Sequence, residues 1–165
     1  MTVARLLGLS LILGLPGACA SGGSPGPETA RAAAPAPVAG QDWFYHVDGA
    51  EARLAYGTEA SDDLRLGLSC RRSAGRLELS AHTARDADEI RLDAGGEAAR
   101  FPARSEPSEL DGGVLLTAEA ATASPVFQQF RRLGWLTHWQ DGRRQTYAPQ
   151  PASADDVERF FSFCG

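Results

Sequence analysis

The side chains best suited to chemistry are few: three histidines, three cysteines and one short stretch rich in Trp and Arg. His46, His82 and His138 are the candidate metal ligands and general bases. No two of them stand at i, i+2 or i, i+4, the spacings that bring paired ligands to one face of a strand or helix. They fall on three separate predicted strands, two of them on the polar side, so they read as solvated histidines and no metal site is expected. Ser, His and Asp are all present, yet no Gly-x-Ser-x-Gly elbow occurs within residues 42–165. Gly67-Leu68-Ser69-Cys70-Arg71 lacks the second Gly and sets Ser69 on a regular strand instead of a sharp turn. Asp86-Ala87-Asp88-Glu89 opens like a calcium loop, but Ile90-Arg91 breaks the acidic spacing, so it reads as a solvated turn. No catalytic residue and no cofactor is assigned, and the chain is not expected to be an enzyme.

The stretch with the most recognition chemistry runs from Trp135 to Tyr147. Asp141-Gly142 favours a two-residue hairpin turn. That turn sets Trp139 opposite Arg144 and Trp135 opposite Ala148 on one side of the ribbon, with Leu136, His138, Gln145 and Tyr147 on the other. Trp and Arg dominate interface hot spots. Trp135, Trp139 and Arg144 therefore form a candidate binding patch if their side faces water. It is also the more apolar side, and on that ground it is expected to pack on the core.

Composition narrows the partners. The chain has 165 residues, about one domain by length, and a net charge of −5. Its 16 basic residues are all Arg; there is no Lys and no Asn, which excludes lysine Schiff bases, P-loop lysines and N-glycosylation. An acidic chain with pI near 5.2 is not expected to bind nucleic acid, which wants a basic face.

Residues 1–20 read as an export signal. Arg5 gives a short positive start, and Leu6–Leu15 is an apolar run too short to span a bilayer. The exit, Leu15-Pro16-Gly17-Ala18-Cys19-Ala20, has two readings. One is a bacterial lipobox that lipidates Cys19, although Pro16 stands where a branched apolar residue is usual. The other is ordinary cleavage at the small residues Ala18 and Ala20, which would give a free periplasmic or secreted form. With Ala20 and not Asp after the cysteine, a lipoprotein of this kind is expected in the outer membrane, facing the periplasm. Residues 21–41, rich in Pro, Ala and Gly, read as a disordered tether. A single globular domain is expected over 42–165.

Period-two alternation dominates that domain and predicts a mainly β (α+β), antiparallel sandwich-like fold. Leu64, Leu66, Leu68 and Cys70 share one face of a strand; Leu77, Leu79 and Ala81 share one face of the next. Gly95-Gly96 is predicted to pair Leu92 with Ala99 and Ile90 with Phe101. A helix is predicted near 125–133, with Ser124 as N-cap, Pro125 at its first position and Gly134 as stop. A C-terminal helix is predicted near 154–163, with Val157, Phe160, Phe161 and Cys164 along one stripe. Two independent periodicities thus aim Cys70 and Cys164 at the core. An even pair in an oxidising compartment predicts a disulfide.

An inward Cys ending a strand, the unit Arg91-Leu92-Asp93-Ala94-Gly95-Gly96, the helix Pro125-Val126-Phe127-Gln128-Gln129-Phe130-Arg131-Arg132-Leu133-Gly134 and the ending Phe160-Phe161-Ser162-Phe163-Cys164 together resemble small exported β-rich proteins of Gram-negative bacteria. The layout is also distantly similar to the type VI secretion accessory protein TagO. The resemblance implies a β-rich envelope domain with a disulfide on its terminal helix, and it implies no catalytic residue. The expected function is a non-catalytic binding or assembly-accessory domain that meets an envelope protein or a cell-wall component and touches a membrane only through its lipid. The alternatives are a small-molecule carrier, which needs an internal void, and a hydrolase with an unrecognised site.

Overall fold

The computed structural model describes residues 34–108 and 112–165. The fold is mainly β, as the alternation predicts: among the described residues, nine antiparallel strands form one nearly closed sheet, with two short α-helices. The strands are β1 (Gln41–Asp48), β2 (Glu51–Thr58), β3 (Leu64–Arg71), β4 (Arg76–Thr83), β5 (Glu89–Ala94), β6 (Glu97–Pro107), β7 (Val114–Ala121), β8 (Leu136–Gln140) and β9 (Arg143–Tyr147). The helices are α1 (Pro125–Leu133) and α2 (Asp156–Cys164). Residues 1–33, which hold the expected export signal, Cys19 and most of the expected tether, lie outside the described residues. The last residues of the tether join the body. Val38 accepts hydrogen bonds from the Gln41 N–H at 3.2 Å and from Gln150 Nε2 at 2.9 Å, and β1 starts at Gln41.

The spatial order is β1-β2-β3-β4-β7-β6-β5-β8-β9. Four strands follow one another as hairpins; the next three then return in reverse order. The long strand β6 holds the two halves together. Its first part pairs with β5 through Glu89↔Pro102, and its second pairs with β7 from Ala103 onward. Pro102, which has no N–H to give a ladder, stands at the changeover. The next N–H, that of Ala103, goes to the Asp88 carbonyl at 2.8 Å. At such a bend a strand exchanges one pairing partner for another and the sheet turns a corner.

Alternation decides which way each side chain points. Trp43, Leu54, Tyr56, Leu66, Leu68, Leu79, Ile90 and Leu92 are all buried on the inner face. Leu64 is the exception: the β2–β3 register shifts at Tyr56/Gly57, and Leu64 is left exposed. Both helices lie against the inner face. On α1, Phe127 stacks on Phe101 of β6 at 5.4 Å and Phe130 meets Trp43 of β1 at 5.0 Å. On α2, Phe160 meets Tyr45 of β1 at 6.4 Å, and Phe161 meets Phe130 of α1 at 5.8 Å. Strands far apart in sheet order thus share one aromatic core, which requires the sheet to curl around the helices. The curl brings β2 to β9: Tyr56 stacks on Tyr147 with ring centroids 4.4 Å apart. The seam between the two edge strands is closed by side chains. Asp42 Oδ1 accepts from the backbone N–H of Gln150 at 2.9 Å and from the Ser153 hydroxyl, and Trp43 Nε1 reaches the Tyr147 carbonyl at 3.4 Å.

Each helix is stopped by a recognisable device. Pro125 opens α1, and Gly134 ends it in the left-handed region at φ +77°, returning its N–H to the Phe130 carbonyl. The end of α2 is capped from outside. The β3–β4 turn gives the N–H of Ser73 to the Phe163 carbonyl at 2.9 Å and that of Gly75 to the Cys164 carbonyl at 3.0 Å. These are two of the carbonyls a helix end leaves without partners. Arg131 grips Glu158 with two hydrogen bonds of 2.8 and 2.6 Å and ties the helices to each other.

The disulfide expected from the two periodicities is present between Cys70 on β3 and Cys164 at the end of α2, 94 residues apart in sequence. Closing a loop of that length removes unfolded-state entropy worth on the order of 4–5 kcal/mol. Because Phe161 is part of the central core, α2 cannot leave without opening it. Cys164→Ser is therefore expected to lower the melting temperature by roughly 10 °C or more and to speed proteolysis between Pro149 and Ser153. Thermal denaturation of the non-reduced and variant proteins checks this; a variant that melts like the parent refutes it.

Candidate binding face

The outer side of β6, β5, β8 and β9 carries the densest recognition chemistry. Its inner partners set it up. On β8 and β9, Leu136, His138, Gln140 and Tyr147 are buried on the inner side, and Trp139 and Arg144 alternate to the exposed outer side; Thr137, also on that side, is itself buried. The hairpin turn at Asp141-Gly142 has φ of +51° and +76°, the type I′ signature, and fixes Trp139 opposite Arg144. This corrects the expectation that the Trp side packs on the core. Trp139 is 38% exposed, while the Leu136 side fills the space against Tyr56 and Trp43. The hairpin reading counted Trp135 toward an apolar side, but β8 begins only at Leu136, and Trp135 sits half-buried ahead of it.

The pairing of β5 with β8 then completes the face. Arg91 is the cross-strand partner of both Arg100 on β6 and Trp139 on β8, and Trp139 is the partner of Arg144 on β9. Arg100, Arg91, Trp139 and Arg144 therefore stand in one line across four strands. The Arg91 guanidinium lies over the Trp139 ring, 4.6 Å from its centre. Arg144 reaches Asp93 at 3.2 Å and Arg100 reaches Glu89 at 3.3 Å. Among the described residues Arg91 has no carboxylate partner. Of the residues singled out from sequence, Trp139 and Arg144 belong to this row and Trp135 does not. Arg91 and Arg100 were missed because the β5–β8 pairing crosses the whole of β6, β7 and α1. The available signal was the polar alternation of Arg91 and Asp93 along β5.

Two further hollows lie on the outer surface. One, of about 640 Å³, is floored by a cross-strand row of His46, Arg53, Ser69, Glu78 and Glu119. Ser69 and His46 are two strands apart with Arg53 between them, so they form no nucleophile–base pair. The other, of about 520 Å³, takes in His82, Asp63, Arg65, Gln140 and Asp141. Among the described residues no group of three His, Cys, Asp or Glu converges on a point that would hold a metal.

His138 departs from the solvated reading given to all three histidines. It is 1% exposed, directly behind the face, with Nδ1 3.3 Å from the Tyr147 hydroxyl. Burial pulls its pKa from 6.5 down to about 4, against a weaker upward pull from Asp141. Burial likewise pushes the Tyr147 hydroxyl above the usual tyrosine range. The folded protein thus holds His138 neutral at a pH where the unfolded chain has already protonated it. That contribution to stability is complete above pH 6.5 and is lost as pH falls from 6.5 to about 4, about 3 kcal/mol in all. Urea unfolding across this range should show the loss, and His138→Gln should flatten it. An unchanged slope in the variant would refute the assignment.

No family model, no curated protein and no solved structure matches the chain.

Proposed function

We propose that the protein is an exported, membrane-tethered, non-catalytic binding domain whose contact surface is the outer face of β6, β5, β8 and β9. The observation that carries this is the Arg100–Arg91–Trp139–Arg144 row: one large exposed aromatic and three guanidiniums on a rigid sheet. These are the side chains that concentrate binding energy in recognition surfaces. The platform is stiff because both turns that set its register are two-residue turns and its inner side is fully packed. The apolar signal at 1–20 and the Cys70–Cys164 disulfide support export, since disulfides persist in oxidising compartments. The aromatic filling of the interior supports recognition at the surface over carriage in a cavity.

In this reading the lipobox places lipid on Cys19, and the stretch from residue 21 up to the point where the chain joins the body near Val38 holds the domain away from the outer membrane, in the periplasm. Cleavage at Ala18-x-Ala20 would release a free form with the same face. Cys19→Ser is expected to move the protein from the membrane fraction to the soluble periplasm, and labelled palmitate should enter the parent chain only. Absence of label in the parent refutes the anchor. The face itself is tested on the anchorless Cys19→Ser chain by sedimentation with isolated envelope material. Arg91→Gln combined with Trp139→Leu should cut retention at least tenfold without changing the melting temperature. Unchanged retention refutes the face.

A further inference from the structure

We infer that the row takes an acidic polysaccharide: a chain of sugar rings that carry carboxylates. The inference rests on the reading of this face as the binding surface and names its ligand.

Charge complementarity is the first argument. The chain carries a net charge of −5, yet three guanidiniums are gathered in one line against two carboxylates, Glu89 and Asp93, which leaves the row positive. Neighbouring strands are about 4.8 Å apart, so the line runs roughly 15 Å from Arg100 to Arg144. A lone headgroup or free anion would engage one point on it; a polymer with repeated charges can lie along all of it. The second argument is the state of each cation. The Arg91 guanidinium lies over the Trp139 ring and meets no carboxylate among the described residues. A guanidinium held by a ring and not by a carboxylate keeps its N–H donors for a two-pronged carboxylate. Arg144 and Arg100 already hold carboxylates, those of Asp93 and Glu89, at exposed sites. Each of these pairs is made through one terminal guanidinium nitrogen, so Arg144 and Arg100 keep other N–H donors for a ligand carboxylate while Asp93 and Glu89 stay in place.

The third argument separates a glycan from a protein. The exposed large apolar side chains among the described residues are Val38, Val47, Leu64 and Trp139, and only Trp139 lies on this face. A protein partner needs an apolar interface core of many such groups. A sugar ring needs one aromatic surface for its C–H face and polar groups around it. The half-buried Thr146, hydrogen-bonded to Thr137 one row along, supplies a hydroxyl beside the line.

The test titrates the full chain with four probes: oligogalacturonate, its methyl ester, polyglutamate and phosphatidylglycerol vesicles. The ester keeps the rings without the charge, and polyglutamate keeps the charge without the rings. Oligogalacturonate should bind, and each of the other three should bind at least tenfold more weakly. Arg91→Gln and Trp139→Leu should each weaken oligogalacturonate binding about tenfold or more, with the melting temperature unchanged. Binding should fall with added salt. Equal binding of the ester or of polyglutamate overturns the inference, as does preference for the vesicles or parent-like binding by the variants. If no probe binds but the double variant still loses envelope retention, the glycan falls and the face stands. If retention also survives in that variant, both fall.

Discussion

The structure depends on filling the inside of a curled sheet. Strands as far apart in the sheet as β1 and β6 cannot touch across the hollow they enclose, so something must occupy it. Phe127 and Phe130 of α1 and Phe160 and Phe161 of α2 do so, in one continuous cluster with Trp43, Tyr45 and Phe101. Each buried aromatic contributes a large apolar area, and edge-to-face contacts add to it. The helices are short, and isolated helices of nine residues are not stable in water. They hold because the sheet wraps them, and the sheet holds its curl because they are there. The Arg131–Glu158 pair, the turn that caps α2 and the disulfide all act on this plug. The outer face is left free to carry charge.

What could be read from the sequence follows from how local the deciding contact is. The bounds of α1 were legible because Ser124-Pro125 and Gly134 act within a turn. The β5–β6 register was legible because Gly95-Gly96 leaves a two-residue turn only one pairing that keeps Ile90, Leu92 and Phe101 together. The disulfide was legible because two short periodicities each point a thiol inward. The orientation of the β8–β9 ribbon was not. It is decided by Tyr147 stacking on Tyr56, ninety-one positions away in the chain and joined only when the sheet curls. His138 went inward for the same reason, although a histidine opposite Gln145 looks polar on paper. The binding row needed the β5–β8 pairing, and no local pattern announces a strand that arrives after an intervening helix.

The face and the core behind it are two sides of one arrangement. Trp139 stands one residue from His138, which lies buried against Tyr147. The buried side holds neutral, desolvated groups; the exposed side holds fixed charges. A Trp on the exposed side keeps a large apolar surface in water, a cost offset in part by the Arg91 guanidinium over its ring. The same contact holds the arginine still, so less side-chain entropy remains to be lost when a ligand is bound.

The turns Gly95-Gly96 and Asp141-Gly142 have a consequence for how this protein can vary over evolutionary time. Side chains alternate with a period of two, so adding or deleting one residue at either turn would exchange the two faces of a strand. At Asp141-Gly142 it would drive Arg144 toward the aromatic core and carry Tyr147 into water. At Gly95-Gly96 it would separate Arg100 from Arg91 and expose Phe101. Length changes should therefore be purged at these two turns far more strictly than at the 84–88 and 59–63 connections, where no such row is at stake. In homologous chains, a constant two-residue spacing at both turns would mark the lineages that keep the row, whatever happens to the loops around it.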